Sequence, residues 1–171
     1  MTRYIHTTFG TREVLSEVRN KHLDRPIHLS VEDGDQSRAQ LIELTDDPKS
    51  VFTVPTSYKV ISSAGDDSEL RGWMMFTFIT LNDQERDNFI RRYDAFLKQG
   101  NLHGGLSSFL LQRTNNDHQL VLLSTWKSKD QWQNWSEESD FPMRRYEGPN
   151  ASYNLRRVGY SFKAFSKSSL N

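Results

Sequence analysis

No cysteine occurs in the 171-residue chain. That excludes a disulfide scaffold, thiolate zinc sites, iron–sulfur clusters and cysteine nucleophiles together. Neither sign of charge is in excess, with Lys+Arg and Asp+Glu at 22 each, so no global field attracts a polyanion and nucleic acid is not an expected partner. No apolar run approaches membrane-spanning length, and Met1-Thr2-Arg3-Tyr4-Ile5-His6 lacks the apolar core of a signal peptide. The expectation is a cytoplasmic protein with no membrane partner. His6, His22, His28, His103 and His118 show no metal-ligand spacing, and GxSxG, Walker and GxGxxG patterns are absent.

Aromatic residues, in contrast, are plentiful at 12%, and three of the four tryptophans (Trp126, Trp132 and Trp135) fall within ten residues of each other. Such a cluster serves either an aromatic core, which is the commoner case, or a pocket for a flat ligand.

The small and acidic run Ser62 to Glu69 reads as a linker or surface loop. It sets expected boundaries of 1–62 for an N-terminal α+β half, 63–70 for a linker and 71–171 for a C-terminal domain. Within the last, Gly72–Leu81 reads as a strand buried on both faces. A helix follows from Asp83 to about Gln99, with Phe89, Ile90, Tyr93, Phe96 and Leu97 on one stripe. Asn82 with Glu85 forms a capping box, and Gly100 stops the helix. Ser107–Arg113 and Gln119–Trp126 form a hairpin about a polar turn. Ser128 with Gln131 repeats the box at the start of a second helix that carries Trp132 and Trp135. The breakers Phe141-Pro142 through Gly148-Pro149 end it. A last strand from Ser152 to Phe165 slips phase at Arg156-Arg157, which suggests a bulge. The order is βαββαβ, an α+β ferredoxin-like unit.

The first half reads as a degenerate copy: a strand at Arg3–Phe9, a helix at Thr11–His22, and strands at Pro26–Val31, Gln40–Thr45 and Val51–Ile61, with no clear second helix. A ferredoxin-like sheet is covered by helices on one face only, and its bare face must pack on a second sheet. The first half is the expected partner, which would make a barrel within one chain and a monomer with an internal pseudo-dimer. Tyr93, Phe89 and Phe109 are expected to line the cleft between helices and sheet.

The run Leu122-Leu123-Ser124-Thr125-Trp126-Lys127-Ser128-Lys129, then Trp135 and Ser139-Asp140-Phe141, resembles the antibiotic-biosynthesis-monooxygenase superfamily, and within it the heme-degrading monooxygenases. Thr80-Leu81, Arg91-Arg92-Tyr93 and Asn101-Leu102-His103-Gly104 add to the resemblance. The whole layout, including Ala39–Ile61, is similar to a two-domain branch that includes a Bacillus-type heme-degrading enzyme and the staphylococcal signal-transduction protein TRAP. The resemblance implies a dimeric α+β barrel type of fold, heme as substrate and cofactor, and an external electron donor. It places a catalytic Trp at Trp135, puts Thr77 where the family has an Asn, and puts Arg145 where the family has an iron-binding His. Arg cannot ligate iron, but Arg145 and Arg144 could clamp a carboxylate. Met143 and Tyr146 are the chemically plausible axial ligands in the same loop.

Each residue also has a plainer role. Trp135 fits a core, Thr77 a satisfied strand hydroxyl, and Arg144-Arg145 a solvated pair. Three functions stay open: a heme-degrading monooxygenase, a non-catalytic TRAP-like binding protein, and a cofactor-free monooxygenase acting on an aromatic metabolite.

Overall fold

A computed structural model describes residues 2–100, 102–138, 143, 146 and 153–163. Its elements, in chain order, are β1 (Tyr4–Gly10), α1 (Arg12–Asn20), β2 (Ile27–Glu32), β3 (Asp35–Thr45), β4 (Thr56–Gly65), β5 (Trp73–Thr80), α2 (Asp83–Lys98), β6 (Gly105–Arg113), β7 (Asn116–Trp126), α3 (Lys129–Ser136) and β8 (Arg156–Lys163). The strands close into one antiparallel barrel in the order β1-β3-β2-β8-β5-β7-β6-β4.

The order contains the same sheet twice. Numbering the strands within each half, both halves run fourth-first-third-second: β4-β1-β3-β2 and β8-β5-β7-β6. The seams are β2 with β8 and β4 with β6, so the second strand of each half pairs with the fourth of the other. This is the ferredoxin-like pseudo-dimer expected from the pattern. Closure leaves no sheet edge unpaired.

Two apolar layers follow from the two-residue period of the strands. In β5, Met74, Phe76 and Phe78 join Ile5, Ile42, Phe109, Leu111, Val121, Leu123 and Tyr160 inside the barrel. Trp73, Met75 and Ile79 face outward, under α2 and α3. The near-continuous apolar run of this strand is thus a strand buried on both faces.

The caps hold α2 as anticipated. Asn82 Oδ1 accepts from Glu85 N at 2.9 Å, and Gly100 takes φ 76 at the other end. The box expected at α3 does not form. Ser128 makes no side-chain capping bond, and Gln131 Oε1 is buried without a partner.

Three expectations in the connecting segments need correction. The strand expected over Val51–Ile61 begins at Thr56, after Pro55, and continues to Gly65. Ser62–Gly65 pairs with Leu110–Ser107, beyond a register shift at Val60/Ser62. The small residues that read as a loop are a packing requirement, because Ile61 and Ala64 lie against the α2 core. In the last strand there is no bulge, since the register from Trp73↔Ser161 to Phe78↔Arg156 is unbroken. The phase slip arises before the strand, where Asn154 takes φ 49. Tyr153 and Leu155 therefore pack on the helix side and Val158 and Phe162 on the barrel side.

Among the described residues, the N-terminal half has no second helix. Residues 46–55 cross in its place. His6 anchors that crossing through Ser57 Oγ at 2.7 Å and the Asp47 carbonyl at 2.9 Å. Phe52 and Val51 pack against Leu15 of α1, and burying one Phe ring supplies about 2–3 kcal/mol of what a helix would provide.

Candidate functional site

The sheet β8-β5-β7-β6 forms a floor, with α2 and α3 above it. Strand parity puts Thr77 on this floor in the row of Met75 and Ile79, buried at 4% exposure. Its register partners are Leu122 and Arg157. From α2, Phe89 and Tyr93 stack on one another with centroids 5.7 Å apart. From α3, Trp135 is 3% exposed and lies 5.1 Å from the Trp126 ring and 6.0 Å from Phe96. Tyr146 meets Phe89 edge-on at 5.5 Å and Tyr153 at 5.0 Å. Met143 is fully buried in the same cluster.

Six of the eight residues singled out from sequence are therefore found together: Thr77, Phe89, Tyr93, Trp135, Met143 and Tyr146 share the layer between sheet and helices. Arg144 and Arg145 lie outside the described residues. Phe109, expected in this cleft, instead points into the barrel. The strand period decides this, because Leu110 beside it takes the helix-facing position.

Polar groups within the layer are few. Arg92 Nη2 donates to the Tyr146 hydroxyl at 2.5 Å, and its guanidinium carbon stands 6.0 Å from the centre of that ring. Burial pushes the Tyr93 phenol up to about 12. The facing Ser108 hydroxyl pulls weakly the other way, but neither oxygen has a hydrogen-bond partner of good geometry. Trp126 Nε1 donates to Ser124 Oγ at 2.8 Å. Arg157 lies 5.7 Å from the Trp132 ring centre, which assigns Trp132 to the rim of the cleft.

Arg92 has the contact that sequence reasoning missed. It was legible only as the middle residue of Arg91-Arg92-Tyr93, and its reach to Tyr146 spans 54 positions. Two donor types suited to heme iron, a thioether at Met143 and a phenol at Tyr146, belong to this cluster, and Arg92 is placed to meet a carboxylate. The layer thus fits a heme in chemical kind. Phe89, Tyr93, Trp135, Met143 and Tyr146 are all buried in this cluster, so a ring enters only by displacing part of it. Among the described residues, no three His, Asp or Glu side chains converge as a metal site.

Residues 74–142 match the family model described as antibiotic biosynthesis monooxygenase (ABM). This segment is an ABM domain. It carries β5, α2, β6, β7 and α3, and hence Thr77, Phe89, Tyr93 and Trp135. No curated protein matches the sequence. A monooxygenase-like protein from Listeria innocua aligns over 96% of each chain at TM-score 0.77 and 20% identity. A major regulator of staphylococcal pathogenesis aligns over 95% of this chain and all of its own, at TM-score 0.77 and 13% identity. The heme-degrading enzyme LmHde of Listeria monocytogenes aligns over 94% of this chain and 100% of its own, at TM-score 0.70 and 19% identity. At these identities the likeness is one of fold, and it covers both halves of the barrel. Among the described residues, no helix is long and apolar enough to cross a membrane.

Proposed function

We propose that the ABM domain binds a flat apolar ring between its sheet and α2/α3, and that the protein is a heme-degrading monooxygenase. One observation carries this reading. Thr77, Phe89, Tyr93, Trp135, Met143 and Tyr146 converge on one layer, with the Arg92 guanidinium bonded to Tyr146. A fold shared with a heme-degrading enzyme supports it.

In this reading Phe89, Tyr93 and Trp135 would hold the ring by stacking, and Thr77 Oγ1 would offer one hydrogen-bond donor toward it. Arg92 would bind a carboxylate of the ligand, the chemistry also expected of Arg144 and Arg145. Met143 or Tyr146 would hold the iron of a bound heme. Bound heme would supply the iron at which O₂ reacts with electrons from an external donor. The chain's part is to orient the ring against Trp135 and to exclude water with the surrounding apolar layer. Opening that layer breaks the Arg92–Tyr146 bond, which costs about 1.5–3 kcal/mol and lowers the apparent affinity by about one to two powers of ten.

A second reading is a non-catalytic, regulator-like ligand-binding protein. Arg145 favours it, since it stands where the resemblance places an iron-binding His. The two readings separate on turnover. With ascorbate as reductant, heme bound to the native protein is expected to lose its Soret band, and Trp135→Phe to retain binding while slowing that loss by about tenfold. Equal rates would remove Trp135 from the mechanism, and a stable Soret band in the native protein would leave the binding-only reading. Loss of the bound-heme spectrum in Met143→Ala or in Tyr146→Phe would identify the axial ligand.

A further inference from the structure

The duplicated sheet gives the N-terminal half a counterpart of the α2/α3 layer, namely the space between α1 and the 46–55 crossing. In the C-terminal half that space is filled by large rings. Here it is a groove of about 320 Å³. Leu15, Val18 and Phe52 form its floor, and Phe9, Val14 and Val54 its mouth. These last three are 47%, 55% and 78% exposed and are three of the four large hydrophobic side chains that reach the surface among the described residues. Single exposed apolar residues need no explanation, but their convergence on one groove does.

The lining also has one sign of charge. Lys21 stands at one end beside His22, and no Asp or Glu lines the groove. Neither side chain has a hydrogen bond or ion pair with another described residue. The volume lies at the low end of the range for small-molecule sites. The C-terminal end of α1 works against an anion there by about half a charge, and the full charge on Lys21 outweighs it.

We propose that this groove is a second binding site, for a small amphiphilic monocarboxylate whose alkyl chain or single ring lies along Val14 and Phe52 with its carboxylate at Lys21. The site is independent of the ring-binding layer and does not require the protein to handle heme. Its occupant is a small molecule because the groove is short, partly enclosed and cationic at one end only. A partner helix would instead need a long open stripe.

Octanoate, octanol and octylamine titrated into the full chain, followed by amide chemical shifts, test the assignment. Saturable shifts are expected at Phe9, Val14 and Val54, with octanoate binding more tightly than octylamine. Lys21→Glu should weaken octanoate by about tenfold and leave octanol unchanged. Val14→Trp, at an exposed position that tolerates substitution, should abolish binding of all three by filling the mouth. Equal affinity for octanoate and octylamine, shifts confined to the α2/α3 layer, or no shifts at millimolar ligand would overturn the proposal. Self-association of the free protein that Val14→Asp abolishes would also overturn it, assigning the face to a second copy of the chain.

Discussion

Arg92 and Tyr146, 54 positions apart, are joined by a 2.5 Å hydrogen bond in which the guanidinium donates to the phenol. The bond ties Tyr146 to α2 and so helps hold the aromatic layer together. Tyr146→Phe removes a hydrogen bond to a charged group and should cost about 1.5–3 kcal/mol in denaturant melts. Arg92→Gln takes this donor from the buried Tyr146 hydroxyl and should cost a similar amount, and the double variant should show strong non-additivity. Additive single effects would mean that the pair does not hold the layer.

Gly72 precedes β5 at φ 81, and a Cβ there would fall 2.1 Å from the Trp126 carbonyl oxygen. The left-handed backbone costs a non-glycine residue of order 1–3 kcal/mol, and the steric contact adds to it. Gly72→Ala should therefore lower the melting temperature more than Gly34→Ala, where an added Cβ meets nothing within 4 Å. Equal effects would refute the close approach.

Burial pushes Tyr58, Tyr93 and Tyr160 up to about 12. A phenol ordinarily ionises near 10, so between pH 10 and 12 the unfolded chain has lost protons that the native chain still holds. The stability these three groups contribute is complete below pH 10 and disappears as pH rises through 12. Tyrosinate absorbance should show a late group of tyrosines titrating together with loss of structure. Simple titration of all six at the ordinary value would contradict their burial.

Both inter-half seams, β2–β8 and β4–β6, are made within the chain. Light scattering should therefore find a monomer across a wide concentration range, because no strand edge is left for a partner sheet. A stable dimer at low concentration would show that closure inside the chain is not the whole assembly.

Much of this architecture was legible in the residues. The period of Phe89, Tyr93 and Phe96, the Asn82 and Glu85 box and the double-sided run of β5 fix the C-terminal half by local rules. The start of β4 was not legible, because Val51, Phe52 and Val54 have strand composition while packing as a substitute for a helix. Nor was the continuation of that strand through Ser62–Gly65, where small side chains answer to α2 in space and not to a loop. The site divides the same way. Trp135 and Thr77 could be placed by position, whereas the Arg92 contact joins residues 54 positions apart that no local rule links. The groove beside α1 depends on which half received the large rings.

If the ABM domain takes a flat ring into the layer around Trp135, a heme titration of the purified protein followed at the Soret band will show it. A shifted band that saturates near one heme per chain at micromolar protein is expected. No spectral change with heme at tens of micromolar, about the limit of weak binding, would contradict it.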